Sequence, residues 1–126
     1  MVYSNRSELA HSLRENNYLD EAHEIYKEVI PGWKELGHRA AVAHELECIG
    51  YILTRKEEPE RAIKLISAAQ VIRNVIDMPR TQMEDVEYDS ELSTLHNMLG
   101  EDKFQKQWLN GGSLSMDEAI ELAMKE

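Results

Sequence analysis

Five histidines, one cysteine and a dense acidic tract are the residues of this 126-residue chain whose types could do chemistry. His44 and Cys48 stand four residues apart, with Glu45 and Glu47 beside them, so an imidazole and a thiol share one helix face. Two such donors fall short of the four that a structural zinc site uses, and the chain contains no CxxC or HExxH pair. His11, His23, His38 and His96 are scattered, and neither a metal nor a cofactor is expected. Paired carboxylates can serve as acid and base. Here Glu84, Asp85, Glu87, Asp89 and Glu91 crowd the start of one helical pattern and read as a solvated face. Cys48, between Glu47 and Ile49 on an apolar face, reads as a buried, inert thiol. With no GxSxG and no glycine-rich phosphate loop, no catalytic residue is expected and the chain reads as a non-enzyme.

Bulk properties narrow the partners. The net charge is −10. That balance argues against nucleic acid, which is bound through clustered Lys and Arg, and against an anionic membrane surface. Residues 1–80 carry 11 basic and 13 acidic side chains and residues 81–126 carry 3 and 11, so most of the charge lies in the last third. A single cysteine cannot form an internal disulfide and points to a reducing, cytoplasmic setting. No apolar run reaches the ~20 residues of a membrane span, and the first ten residues do not read as a signal peptide.

The elements that must position these residues are helices, because no apolar/polar alternation is sustained between turn signals. Eight helical segments are expected. The first spans about 4–15 and breaks at Asn16-Asn17. The second begins at Asp20 and is kinked or interrupted by Pro31-Gly32, with Gly37 as the stop. A helix over about 38–55 follows, then one over about 59–76 started by Pro59. The latter is apolar nearly all round and needs cover on more than one side. A helix over about 81–99 buries Met83, Val86, Leu92, Leu95 and Leu99. A short one over 101–109 ends at Asn110-Gly111-Gly112, and Ser115-x-x-Glu118 opens the last. The chain repeats at an offset of forty: Leu9/Ile49, Ala10/Gly50, Leu13/Leu53, Ala22/Ala62 and Tyr26/Ile66 correspond. The small pairs allow close helix approach. One domain over 1–126 is expected, with repeat 1 at about 4–36, repeat 2 at about 38–76 and capping helices at about 81–125.

Leu9-Ala10-x-x-Leu13 with Asn17-Tyr18-x-x-x-Ala22-x-x-x-Tyr26, and Ile49-Gly50-x-x-Leu53 with Pro59-Glu60-Arg61-Ala62-x-x-x-Ile66, resemble the tetratricopeptide repeat. The period is forty residues rather than thirty-four, Val29 stands where the motif prefers alanine, and the closing proline is missing. The resemblance implies an all-α superhelix of antiparallel hairpins whose first helices line a concave groove. Carried over, the groove positions are Ser4, Ser7, His11, Arg14 and Glu15, then His44, Glu47, Tyr51, Thr54 and Arg55. Of these His11, Arg14, His44, Glu47, Tyr51 and Arg55 are the candidate partner-binding residues, with His11, Arg14, Tyr51 and Arg55 suited to an acidic or aromatic peptide. The Lys/Asn carboxylate clamp of chaperone-binding members is not present at these positions.

The C-terminal half resembles the ending of large bacterial regulators, including LuxR-type activators and fused predicted ATPases. The string is Ala68-Ala69-Gln70-Val71-Ile72-Arg73, Pro79, Leu99-Gly100-Glu101, Phe104, Trp108 and Gly111, then Leu114-Ser115-x-x-Glu118-Ala119-Ile120 and Ala123. It implies the sensory or scaffold part of a signal-transduction or transcription regulator. Asn74 and Asp77 depart from it, and the ATPase and helix-turn-helix parts are not recognisable in these residues. The expected role is therefore a protein-interaction module; the competing reading is a small-molecule or enzymatic domain with a pocket between repeats and cap. Val2, Leu9, Leu13, Leu19, Ile25 and Val29 are expected to leave an apolar patch on the N-terminal hairpin, the basis for expecting a homodimer.

Overall fold

Seven helices and no strand make up residues 2–125, the part of the chain that the computed structural model describes; the fold is all-α. They are α1 (Val2–Glu15), α2 (Leu19–Glu35), α3 (Arg39–Arg55), α4 (Pro59–Ile76), α5 (Gln82–Leu99), α6 (Glu101–Gly112) and α7 (Met116–Met124). α1 packs on α2, α2 on α3 and α3 on α4, each pair joined by a three-residue turn. Short turns of this kind make neighbouring helices antiparallel.

The turns share one geometry. Asn17, Gly37, Glu57 and Asp77 all have positive φ, at 67°, 74°, 62° and 53°, and stand twenty residues apart. In each case the next residue donates its backbone N–H five residues back: Tyr18 to Leu13, His38 to Trp33, Glu58 to Leu53 and Met78 to Arg73, at 2.8–3.0 Å. This is the Schellman ending, which satisfies carbonyls the helix leaves open. Asn17 and Gly37 suit the left-handed conformation; Glu57 and Asp77 hold it despite their Cβ atoms. The small-residue seam falls where the forty-residue offset put it. A Cβ on Gly50 would stand 2.7 Å from Ile66 Cγ1 and 3.1 Å from the Ala62 carbonyl.

Two helix boundaries differ from the sequence reading. α2 runs through Pro31-Gly32 without interruption, which leaves seven helices rather than eight. Tertiary burial explains this: Val29, Ile30, Gly32 and Trp33 are all inside, so packing outweighs the hydrogen bond that proline forfeits. α6 likewise continues to Gly112 instead of stopping at Asn110. Gly111 is buried where α6 crosses α4, and a Cβ there would lie 2.4 Å from the Lys64 carbonyl oxygen. The glycine permits a backbone contact rather than a turn.

α4 is the central helix. α3, α5, α6 and α7 all pack on it, and Ala62, Ile63, Leu65, Ile66 and Ala69 are fully buried. Each large one contributes about 1.5–3 kcal/mol by leaving water. α7 opens with the expected capping box, Ser115 to Glu118, and closes on side chains from elsewhere. His23 Nε2 lies 3.1 Å from the Ala123 carbonyl, and Arg61 Nε donates to that of Leu122 at 3.1 Å, at the end where helix carbonyls lack partners. The apolar patch expected on the N-terminal hairpin does not form. Ile25 and Val29 are in the core and Leu13 and Leu19 are partly covered, leaving Leu9 exposed; the side chain of Val2 lies outside the described residues. α2 turns that face toward α1 and α3, and the homodimer loses the surface from which it was argued.

Candidate functional site

All six candidate residues converge on one seam, built by His11 and Arg14 of α1 and by His44, Glu47, Tyr51 and Arg55 of α3. They do not line an open groove. α5 lies over them, and Glu47 and Tyr51 are only 2% exposed. Arg14 donates two hydrogen bonds to Glu87, at 2.8 and 3.3 Å, a paired geometry among the stronger charge-assisted contacts. Arg55 pairs with Glu91 at 2.8 Å, and His44 Nδ1 lies 3.3 Å from Glu84. Glu84, Glu87 and Glu91 thus face inward, whereas Met83 and Val86 are exposed. The acidic tract is therefore split, with Asp85 and Asp89 alone keeping the solvated face expected of all five. Arg14 of α1 and Arg55 of α3 present cations where α5 lands, so the carboxylate stripe is the one that gains from docking.

The remaining groove positions have other duties. Ser7 is buried and donates to Glu45 Oε2 at 2.7 Å while accepting from Trp33 Nε1 at 3.1 Å. Thr54 bonds back to the Gly50 carbonyl at 3.0 Å. Ser4 and Glu15 face solvent. Two contributors escaped the sequence reading. Arg80 donates to Glu47 through Nε at 3.1 Å and stacks 3.5 Å above the Tyr88 ring. Arg73, 2% exposed, places Nε 3.3 Å from Glu47. The spacing of Glu84, Glu87 and Glu91, three and four residues apart, was the available signal for α5, since it marks one helix face.

Burial sets the protonation states. It pushes the Glu45 carboxyl up to about 7, with the Ser7 hydrogen bond acting against it, and leaves Oε1 without a partner. His44 is held below the usual imidazole range by burial, against the pull of Glu84 and Glu47. Burial opposes the Glu84 charge too, yet the Thr81 capping bonds and His44 bring its carboxyl below the ordinary range. Around Cys48 a second cluster forms: its Sγ lies 3.8 Å from His44 Nε2 and 4.0 Å from His11 Nδ1, and the Tyr26 hydroxyl sits 2.5 Å from that same His11 nitrogen. Two surface clefts, of about 540 and 450 Å³, are lined by the turn before α4, by α4–α7 and by the turn after α6, without any of the six candidate residues.

Half of the chain has relatives. Over 63 residues it is 30% identical to proteins carrying the name "Putative HTH-type transcriptional regulator", one in Mycobacterium bovis and two in strains of Mycobacterium tuberculosis. The chain spans 7% of the length of these curated relatives. No family model matches it, and no solved structure matches it. The match corrects one expectation. Nucleic acid was set aside on a net charge of −10, but the relatives are named for the helix-turn-helix, a DNA-binding motif. The charge of a chain whose matched half covers only 7% of their length is no ground for excluding it. On membranes the structure agrees with the sequence: among the described residues no helix is long and apolar enough to cross one.

Proposed function

We propose that this chain is a non-enzymatic, protein-interaction module of a transcription regulator, built from tetratricopeptide-like hairpins, whose α1/α3 seam recognises an acidic helix. One observation carries the reading: the seam already holds such a helix, α5, through Arg14–Glu87, Arg55–Glu91 and His44–Glu84. The chemistry matches an acidic ligand, and the occupant belongs to the chain itself. A partner presenting carboxylates at the same spacing would compete for the seam, with α5 as the resident it displaces. The similarity to named transcriptional regulators supports placing the module in that class of protein, and the single cysteine supports a reducing, cytoplasmic setting.

A labelled peptide of residues 81–99 tests it by fluorescence anisotropy. The full chain carrying Glu87→Gln and Glu91→Gln, whose own α5 is loosened, should bind the peptide more tightly than the parent chain does. Binding should vanish when Glu84, Glu87 and Glu91 of the peptide are glutamine. Equal binding of the charged and neutral peptides, or none to a folded variant chain, overturns the reading.

A further inference from the structure

We propose that His11, His44 and Cys48 form a zinc-binding site, with water in its fourth position, that ties α1 to α3. The three His/Cys ligand atoms lie within 4.8 Å of one another. Zinc binds thiolate at about 2.3 Å and imidazole at about 2.0–2.1 Å, so ligand atoms in a tetrahedral or trigonal set stand about 3.3–3.8 Å apart. The observed 3.8 and 4.0 Å from sulfur to the two nitrogens exceed that spacing by a few tenths of an ångström at most, while the set as a whole spans up to 4.8 Å, so the two imidazoles must close on each other by about 1 Å through side-chain rotation. The sequence shows only the His44–Cys48 pair; folding brings in His11 from 37 residues before the cysteine.

Two features of the surroundings suit an ion. His44 offers Nε2 to the cluster while its Nδ1 faces Glu84 at 3.3 Å, the carboxylate–histidine arrangement that orients a metal-bound imidazole and raises its basicity. Burial keeps that imidazole neutral, the state a metal requires. Opposing these, the Arg73 guanidinium lies 3.4 Å from His44 Nδ1, its charge offset by Glu47 and Glu84 at 3.3 and 4.0 Å. His11 Nδ1 shares a hydrogen bond with the Tyr26 hydroxyl at 2.5 Å; the ion takes that nitrogen's lone pair and the phenol must turn aside. Sulfur and imidazole nitrogen together favour zinc over magnesium or calcium, which prefer oxygen. This site stands on its own geometry and does not depend on what the seam binds, although a bound ion would strengthen the His44–Glu84 contact and so hold α5 down.

The test is metal binding by the full chain. Zinc added to the chelator-stripped protein should bind at one ion per chain by calorimetry. Cobalt(II) in its place should give the visible bands of a tetrahedral ion and a near-ultraviolet thiolate-to-cobalt charge-transfer band. Cys48→Ser should abolish that band, and His11→Gln should weaken binding. Glu84→Gln, which touches no ligand atom of the ion, should weaken it about 10–100-fold. His96→Gln, at the α5–α6 junction, should leave it unchanged. No stoichiometric zinc, a cobalt spectrum without the sulfur band, or binding that survives Cys48→Ser in a folded chain overturns the site. So does a preference for copper(I) with no zinc bound.

Discussion

Gly111 and Gly112 are neighbours at the end of α6, and changing each to alanine should shift stability in opposite directions. In a helix interior alanine is favoured over glycine by about 0.8–1 kcal/mol, so both changes begin with a gain. At Gly111 the new Cβ would stand 2.4 Å from the Lys64 carbonyl oxygen, 2.7 Å from its Cα and 2.9 Å from its carbonyl carbon. These are backbone atoms of the central helix and cannot rotate aside. α6 must move away, loosening the Ser67 Oγ to Trp108 carbonyl bond at 2.6 Å that lies on the same interface. Overpacking of this kind costs about 1–3 kcal/mol, which set against the propensity gain leaves a net loss of up to about 2 kcal/mol. At Gly112 the nearest atoms are Ser67 Oγ at 3.5 Å and Val71 Cγ2 at 3.9 Å, ordinary contacts, and neither glycine has positive φ. Gly112→Ala should therefore be neutral or stabilising by up to about 1 kcal/mol. Urea unfolding of the parent and both variants gives the two differences directly. If Gly112→Ala destabilises as much as Gly111→Ala, the pair forms a left-handed turn, and the close α4–α6 crossing is wrong.

Glu57 pays a left-handed strain at φ 62°, so Glu57→Gly should raise unfolding free energy by about 0.5–1 kcal/mol, the relief of about 1–2 kcal/mol exceeding the entropy of an added glycine; a drop in melting temperature would refute this. Gly50→Leu should cost about 1–3 kcal/mol, because its side chain must enter the Ala62–Ile66 seam, and a variant that melts like the parent would show that the hairpin is packed differently. Glu45 predicts a pH effect. Its folded value of about 7 lies above the unfolded carboxyl value, so its contribution is fully present below about pH 4.5 and is lost as pH rises through 7, about 3 kcal/mol in all. His23 and His44, lowered by burial, act oppositely and lose stability as pH falls; His23 cancels when Glu45→Gln is compared with the parent, whereas His44, which interacts with the Glu45 charge, cancels only in part. That difference, measured with EDTA present, should grow in favour of the variant from pH 5 to pH 8; a constant difference would refute it.

Local rules were enough for much of the scaffold. Apolar spacing marks α1–α4, Pro59 and the Ser115–Glu118 capping box mark helix starts, and Gly37 marks a stop, because each depends on backbone chemistry within a few residues. The Gly50/Ala62 seam was legible because the two repeats could be laid against each other. The three-dimensional decisions were of another kind. Periodicity assigned Met83 and Val86 to the inside of α5, on the rule that apolar residues bury; the helix instead turns Glu84, Glu87 and Glu91 inward, because Arg14, Arg55 and His44 await them. No window of α5 contains that information. Gly111 looked like a stop, since nothing local reveals that Lys64 passes within reach of its Cβ. His11 joined His44 and Cys48 only when α1 packed beside α3, for a ligand set is a matter of distance in space and the sequence records distance along the chain. The chain thus states where its helices lie, while which face each one buries is decided by the charges and backbones of the helices it meets.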